Sequence, residues 1–311
     1  MSVRGLAGIL VFVAALLVPA LGSRFYTFLA NDVVIWALFA TSLNLLVGYT
    51  GLVSFGHAAY FGVGAYVTGI LMKKLAVPFL LAWPAAGVVG AALGIALLGG
   101  VVERVLFRHL YGKEELYQLL FTYALGLILS DAAKIVWGTQ QKSVSRPPEL
   151  SGSFSLFGAT IPQYNLFIIV LGPSIALAFW FVLQHTRAGR FIRAAALDRE
   201  TLGALGVNVD ALYTWVFMLA SFLGGLGGAL ISPMRATTPG MDTAVIVEAF
   251  VVVVIGGLGS LWGTFLGAVV YGQVLSFGIL LFPRFSIFAV FALMAAVLII
   301  RPWGLLGRPI Q

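Results

Sequence analysis

Of 311 residues, 61% are hydrophobic, 9% carry charge and none is cysteine, whereas soluble domains carry about 25% charged residues. That balance excludes a soluble globular domain, and the missing cysteines exclude disulfides, thiolate nucleophiles and thiolate metal sites. The formal net charge of +7 would suit nucleic acid in a soluble chain, but here the basic residues flank apolar runs, so they serve orientation and no nucleic-acid partner is expected.

The apolar runs are long and do not alternate, which points to an all-α polytopic transmembrane bundle rather than a barrel. They predict ten spans, near residues 6–22, 32–49, 53–72, 78–101, 116–137, 165–183, 212–232, 243–257, 259–281 and 285–300. Arg4, the apolar run from Leu6 to Val18 and the small residues Ala20 and Gly22 also fit a cleavable signal peptide; a retained span is the expectation. The glycine-rich stretch 53–72 and the short stretch 243–257 are candidates for broken or re-entrant helices.

Polar residues inside spans are functional candidates because burying them in lipid is costly. Asn44 and Ser54 flank the turn before His57 and are expected to satisfy backbone groups freed by the glycines. His57 itself either lines a path or holds a backbone carbonyl, with the structural role expected. Glu248 is placed at a helix start facing the bundle, and with Asn44, Ser54 and His57 it forms the candidate substrate pathway. Asp131 and Lys134, at i and i+3, are expected to pair on one helix face.

Glycine makes up 37 residues, and the pairs Gly90/Gly94, Gly224/Gly228 and Gly263/Gly267 have the spacing that lets membrane helices approach closely. The segments 48–66 and 256–272 share a texture, a glycine turn followed by Ser, an aromatic and a small-residue helix, which suggests an internal repeat. Residues 138–164 form a long polar connection in which Pro147 and Pro148 rule out a long helix. It is predicted as an external loop.

The largest departure from apolar character is Gln184 to Ala211, which holds 7 of the 29 charged residues. It reads as one helix from about Ala188 to Leu205, with Phe191, Ala194, Ala195, Leu202 and Leu205 on one face and a stop at Gly206. Its basic start and mixed later charges run against the order that suits a helix dipole, which favours a role in contacts. The competing reading is an amphipathic helix lying on anionic headgroups. If this segment faces the cytoplasm, ten spans place ten of the basic residues inside and both termini with them, while Lys73 and Lys74 lie on the wrong side.

TRAGRFIRAAALDRETLGALGVNVD resembles the cytoplasmic loop of permease subunits from branched-chain amino acid ABC importers. SLNLLVGYTGLVSFGHAAYFGVGAY at 42–66, EAFVVVVIGGLGSLWGTFLGAVVYG at 248–272 and RPWGLLG at 301–307 resemble further signatures of that family. Related permeases serve urea and short amides, and features of the two normally paired permease types are mixed here. The resemblance implies a single permease domain over 1–311 in the bacterial inner membrane, with 184–211 as a coupling loop and alternating access as the mechanism. It implies a second permease subunit, two cytoplasmic ATPases and a periplasmic or extracellular binding protein as partners, besides the bilayer. Within the loop, Arg190, Arg193, Asp198, Arg199, Glu200, Asn208 and Asp210 would carry ATPase coupling.

This chain has no GxxxxGK[ST] loop, so it is expected to bind no cofactor, with ATP and Mg held by the partner ATPases. His57, His109 and His185 are the only histidines, and no nucleophile, base and orienting group occur together, so neither enzyme nor metal site is expected. Two other functions remain open from sequence. One is a secondary transporter with Glu248, Asp131 or His57 carrying protons; the other is a scaffold recruiting a cytoplasmic protein.

Overall fold

The computed structural model describes residues 24–52, 54–74, 86–110, 113–147, 150–156 and 159–307, with the side chains of 24, 70–74, 86–90, 115, 156 and 159 outside that description. The helices are α1 (Arg24–Thr50), α2 (His57–Lys74), α3 (Ala86–Val105), α4 (Glu115–Trp137), α5 (Gln163–His185), α6 (Arg187–Ala195), α7 (Arg199–Ala204), α8 (Val209–Ile231), α9 (Met241–Gly256), α10 (Leu261–Leu281) and α11 (Ser286–Ile300). A short antiparallel hairpin, β1 (Ser153–Leu156) and β2 (Ala159–Pro162), interrupts them. The hairpin falls in the 138–164 connection, for which the sequence excluded only a long helix.

Six of the described helices are long and apolar enough to cross a membrane, and they coincide with six of the ten expected spans. The predicted first span, 6–22, and the start of 78–101 lie outside the described residues, as does the choice between span and signal peptide. Helix α9 has 16 residues, which at 1.5 Å per residue is about 24 Å, short of the roughly 30 Å hydrocarbon core. Burial separates two kinds of crossing helix. The apolar windows of α1 and α8 are 83% and 78% buried, whereas those of α4 and α11 are 17% and 11% buried. A helix apolar all round yet exposed, as α11 is with Ile287 and Phe288 outward, needs lipid as its solvent.

The chain forms two compact units. One comprises 45–147 and 177–246, with α8 packed along α3 and α2, and α4 against α2. Its centre is aromatic: Phe217 lies 4.9 Å from Phe107 and 5.9 Å from Tyr60, ring to ring. Elsewhere the helices meet backbone to backbone. A Cβ at Gly64 would fall 2.7 Å from Gly225 Cα, and one at Gly228 would fall 2.7 Å from the Phe61 carbonyl carbon. Gly126 approaches Gly56 in the same way, at 2.9 Å from its Cα. The expected close approach through Gly94 does not occur, since a Cβ there meets nothing within 4 Å; the packing face of Gly90 lies outside the described side chains.

The other unit comprises, among the described residues, 24–44, 150–156, 159–176 and 247–307. Helix α10 packs on the end of α9 through glycine, a Cβ at Gly267 falling 2.9 Å from Gly256 N. Pro283–Phe285 then turns the chain into α11. The closing RPWGLLG segment folds back on α9: Leu305 N and Leu306 N donate to the carbonyls of Ile255 and Gly256 at 2.9 and 3.0 Å. These are orphan carbonyls of a helix C-terminus. Gly304 and Gly257, at φ +77° and +107°, allow the return, with a Gly304 Cβ placed 2.5 Å from Gly257 Cα. Any side chain at either position would push the two strands of backbone apart.

Candidate functional site

The polar segment after α5 is two helices rather than the single one expected. Thr186 caps α6, its hydroxyl accepting from Gly189 N at 3.2 Å. Asp198 then takes an extended backbone, φ −156°, and its carboxylate accepts from Glu200 N and Thr201 N, both at 3.0 Å. A side chain that captures the first amides of a helix starts a new one, so the continuous helix breaks at Ala196 to Asp198. Gly206, at φ +83°, ends α7 as the sequence suggested, and Asn208 caps α8 by accepting from Ala211 N at 2.9 Å.

The buried face also differs from the expected one. Ala195 and Leu202 join Tyr213 in a small core with Ala194, Val207, Val209 and Leu212, and Ile192 is buried too. Phe191 and Leu205, read on the same face as Ala194, Ala195 and Leu202, are exposed, Leu205 to 75%, as is Leu197, to 84%. Because Asp198 starts a new helix, α6 and α7 do not share one continuous face, and Phe191 is exposed within α6 itself.

The charge order has a local cause that the sequence reading missed. The Arg193 guanidinium donates to the Leu183 carbonyl and, at 3.3 Å, to Gln184 Oε1, so it caps the C-terminal end of α5, where the dipole favours a cation. Arg193, Asp198 and Asn208 therefore hold the element's shape. Arg190, Arg199, Glu200 and Asp210 are exposed and, with Leu197 and Leu205, form its outward surface.

The Thr201 hydroxyl, followed by the Thr201 amide, holds the Asp198 carboxyl below its ordinary value of 3.8. A depressed carboxylate adds stability above the unfolded-state value and loses it as pH falls through the folded one. Amide exchange in α7, corrected for intrinsic rate, is therefore expected to accelerate as pH falls through and below the ordinary carboxylate value of 3.8. Asp198→Asn, which keeps an uncharged cap, should flatten that profile, and equal profiles for the two proteins would contradict it.

Of the pathway candidates, Asn44 and Glu248 belong to one unit and Ser54 and His57 to the other. Asn44 is buried, and its amide pins the turn between α9 and α10: Nδ2 donates to Thr264 Oγ1 at 2.7 Å and Ser260 O at 3.2 Å, while Oδ1 accepts from Gly259 N at 2.9 Å. It serves backbone freed by glycines, as expected, but at this later turn instead of the one it flanks. Ser54 is buried and its hydroxyl has no partner among the described residues, unlike Ser260, which caps α10 through Gly263 N at 3.1 Å. His57 is the first residue of α2, fully buried, with its ring 5.6 Å from Tyr60. Glu248 lies in the second turn of α9, since that helix starts at Met241. The expected Asp131–Lys134 pair is present at 2.8 Å.

One buried carboxylate was not singled out. Glu103, on the last turn of α3, is fully buried, and its Oε2 accepts from the Thr214 hydroxyl at 2.5 Å. Arg108 Nη2 donates to the same hydroxyl oxygen at 3.4 Å. This network ties α3 to the first turns of α8, next in sequence to the polar element. Its signal was a lone acid closing an apolar run just before Arg104 and Arg108. Among the described residues, no three His, Asp or Glu side chains gather to hold a metal ion.

Residues 25–300 match the family described as branched-chain amino acid transport system permease component. The chain is 27% identical to the permease protein BraD of the high-affinity branched-chain amino acid transport system of Pseudomonas aeruginosa, covering 88% of this chain and 92% of BraD. It is 26% identical to LivH of the corresponding Escherichia coli system, again over 88% and 92%. LivM of Salmonella typhimurium is 27% identical over 95% of this chain and 74% of its own length.

Proposed function

We propose that this chain, which belongs to the branched-chain amino acid transport permease family, is one of two paired permease subunits of an ATP-driven importer for aliphatic amino acids. Substrate class follows from the names of BraD, LivH and LivM, and the near full-length cover of BraD and LivH favours that member of the pair. Two partner ATPases drive alternating access, a soluble binding protein delivers substrate from outside, and the complex sits in the inner membrane. We place both termini and residues 184–211 in the cytoplasm and 138–164 outside. The four crossings beyond the six described are assigned to 6–22, 53–72, 78–101 and 243–257.

The observation that carries this reading is the capped pair α6 and α7. Three residues are committed to its shape, while Leu197 and Leu205 stay exposed among charges. Exposed apolar residues rimmed by polar ones mark interaction sites, and this chain lacks the phosphate loop such a complex needs. Proton coupling through Asp131 has less to support it, because that carboxylate is held by Lys134.

Co-expression with a second permease of the family and two ATPases should yield one complex whose ATP hydrolysis rises when loaded binding protein is added. Uptake that persists without the ATPases and collapses with the proton gradient would overturn the assignment.

A further inference from the structure

Within the unit formed by 45–147 and 177–246, a cavity of about 560 Å³ is lined by residues of α2, the end of α4, the segment after it and Thr237. That volume lies in the range of small-molecule sites, roughly 300 to 1,000 Å³. Its rim is fixed by a backbone bridge in which Lys142 N donates to Thr237 O at 3.0 Å and Thr237 N to Lys142 O at 2.8 Å. The cavity is far from the polar element that couples to the ATPases. Helix α8 starts beside that element and runs 23 residues, about 34 Å, before the chain reaches Thr237.

Three lining residues carry a buried polar atom with no hydrogen-bond partner among the described residues: Tyr66 Oη, Trp137 Nε1 and Thr237 Oγ1. Tyr66 and Thr237 are themselves more than nine-tenths buried. Buried polar groups are nearly always paired in native structures, and each one left unpaired costs about 1 to 3 kcal/mol. Three of them on one cavity point to an absent ligand. All three can donate, and the indole N–H can do nothing else.

Charge and shape narrow the class. Among the described residues, Lys142 is the one charged member of the lining and no carboxylate joins it, so the ligand presents anionic oxygen. Besides the neutral polar side chains Gln140, Gln141 and Ser143, the wall has an apolar part: Val136, Val144 and the Tyr66 and Trp137 rings, stacked at 5.5 Å and 18°. We propose that this cavity is an outer binding site for a small carboxylate with an apolar body, the carboxylate meeting Lys142 and the Trp137 indole N–H. Aliphatic amino acids belong to that class. Only the site's place in transport rests on the importer reading; binding itself does not.

The test uses the full chain in nanodiscs of zwitterionic lipid, with radiolabelled L-leucine as the probe. Unlabelled leucine and 4-methylpentanoate, which lacks the amine, should displace it, whereas leucinamide, which lacks the carboxylate, should not. Lys142→Gln should weaken binding about tenfold or more, the loss expected for a charge-assisted hydrogen bond, and Lys142→Arg should restore most of it. Trp137→Phe keeps the ring and should weaken binding about threefold. No saturable binding, equal displacement by leucinamide, or unchanged binding in Lys142→Gln would each overturn the site. If the assembled complex still imports leucine with ATP in those cases, the importer reading stands without it. Carboxylate-dependent binding in a complex that does not import would uphold the site and remove that reading.

Discussion

Gly228→Ala is expected to lower the stability of the detergent-solubilised protein by about 3 kcal/mol or more, while Gly94→Ala leaves it unchanged or slightly raised. Both glycines lie in helices and both belong to pairs with four-residue spacing, so sequence alone gives them equal standing. They differ in what a methyl group would meet. At Gly228 it falls 2.7 Å from the Phe61 carbonyl carbon and 3.1 Å from Ala65 N, where ordinary carbon contacts need about 3.5 to 4 Å. Both obstacles are backbone of α2, which cannot rotate aside as a side chain can. Helices α2 and α8 would have to separate along a seam that also carries Gly64 on Gly225 and the buried Phe61, Ala65, Leu226 and Ala229. Overpacking a core typically costs about 1 to 3 kcal/mol and occasionally more. The upper end applies because packing, with no hydrophobic drive between helices, is what holds them together in lipid. At Gly94 the methyl enters open space and gains the roughly 1 kcal/mol helix preference of alanine over glycine. Thermal unfolding followed by size-exclusion chromatography reads both variants, and equal midpoints would refute the backbone seam.

The contrast between those glycines shows where the sequence stops being informative. Periodicity and composition carry the class of fold, because lipid demands long apolar helices whatever their neighbours. They also carry the shortness of α9, which is a matter of counting residues. Which glycine touches another helix depends on partners far along the chain, and four-residue spacing does not specify them. Asn44 illustrates the same limit. An amide in an apolar helix announces a buried hydrogen-bonding job, yet the backbone it serves lies at Gly259 and Ser260, more than 200 residues away, and local reading placed that job at the nearest glycine turn. The split between α6 and α7 is a different kind of miss. Asp198, followed by Arg199, Glu200 and Thr201, is an acceptable helix start, but apolar residues recurring through it at helical spacing concealed the boundary. Arg193 could be seen as basic but not as a cap, since its target is a carbonyl of the preceding helix, reached only because the chain reverses at Thr186.

That reassignment decides how the coupling surface must be tested. Reversing Arg193 and Asp198 would uncap α5 and α7 and unfold the element, so a loss of transport would say nothing about docking. Leu197→Asp with Leu205→Asp changes only side chains that are 84% and 75% exposed, and it is expected to reduce ATP-driven uptake at least tenfold while membrane insertion and α6–α7 protection stay intact. A leucine buried in a partner's pocket contributes about 1.5 to 3 kcal/mol, and a carboxylate in its place must also be desolvated, so loss of both anchors should release the ATPases during purification. The same substitution would weaken a helix that merely lies on headgroups, so a second variant separates the readings. Leu197→Trp with Leu205→Trp favours the membrane interface, where tryptophan is enriched, yet overfills a pocket shaped for leucine. If α6 and α7 dock on an ATPase, the tryptophan variant loses coupling as the aspartate variant does. If they rest on lipid, it keeps ATPases and uptake, and the outward surface of Leu197, Leu205, Arg190 and Arg199 is then not where the energy of hydrolysis enters the membrane.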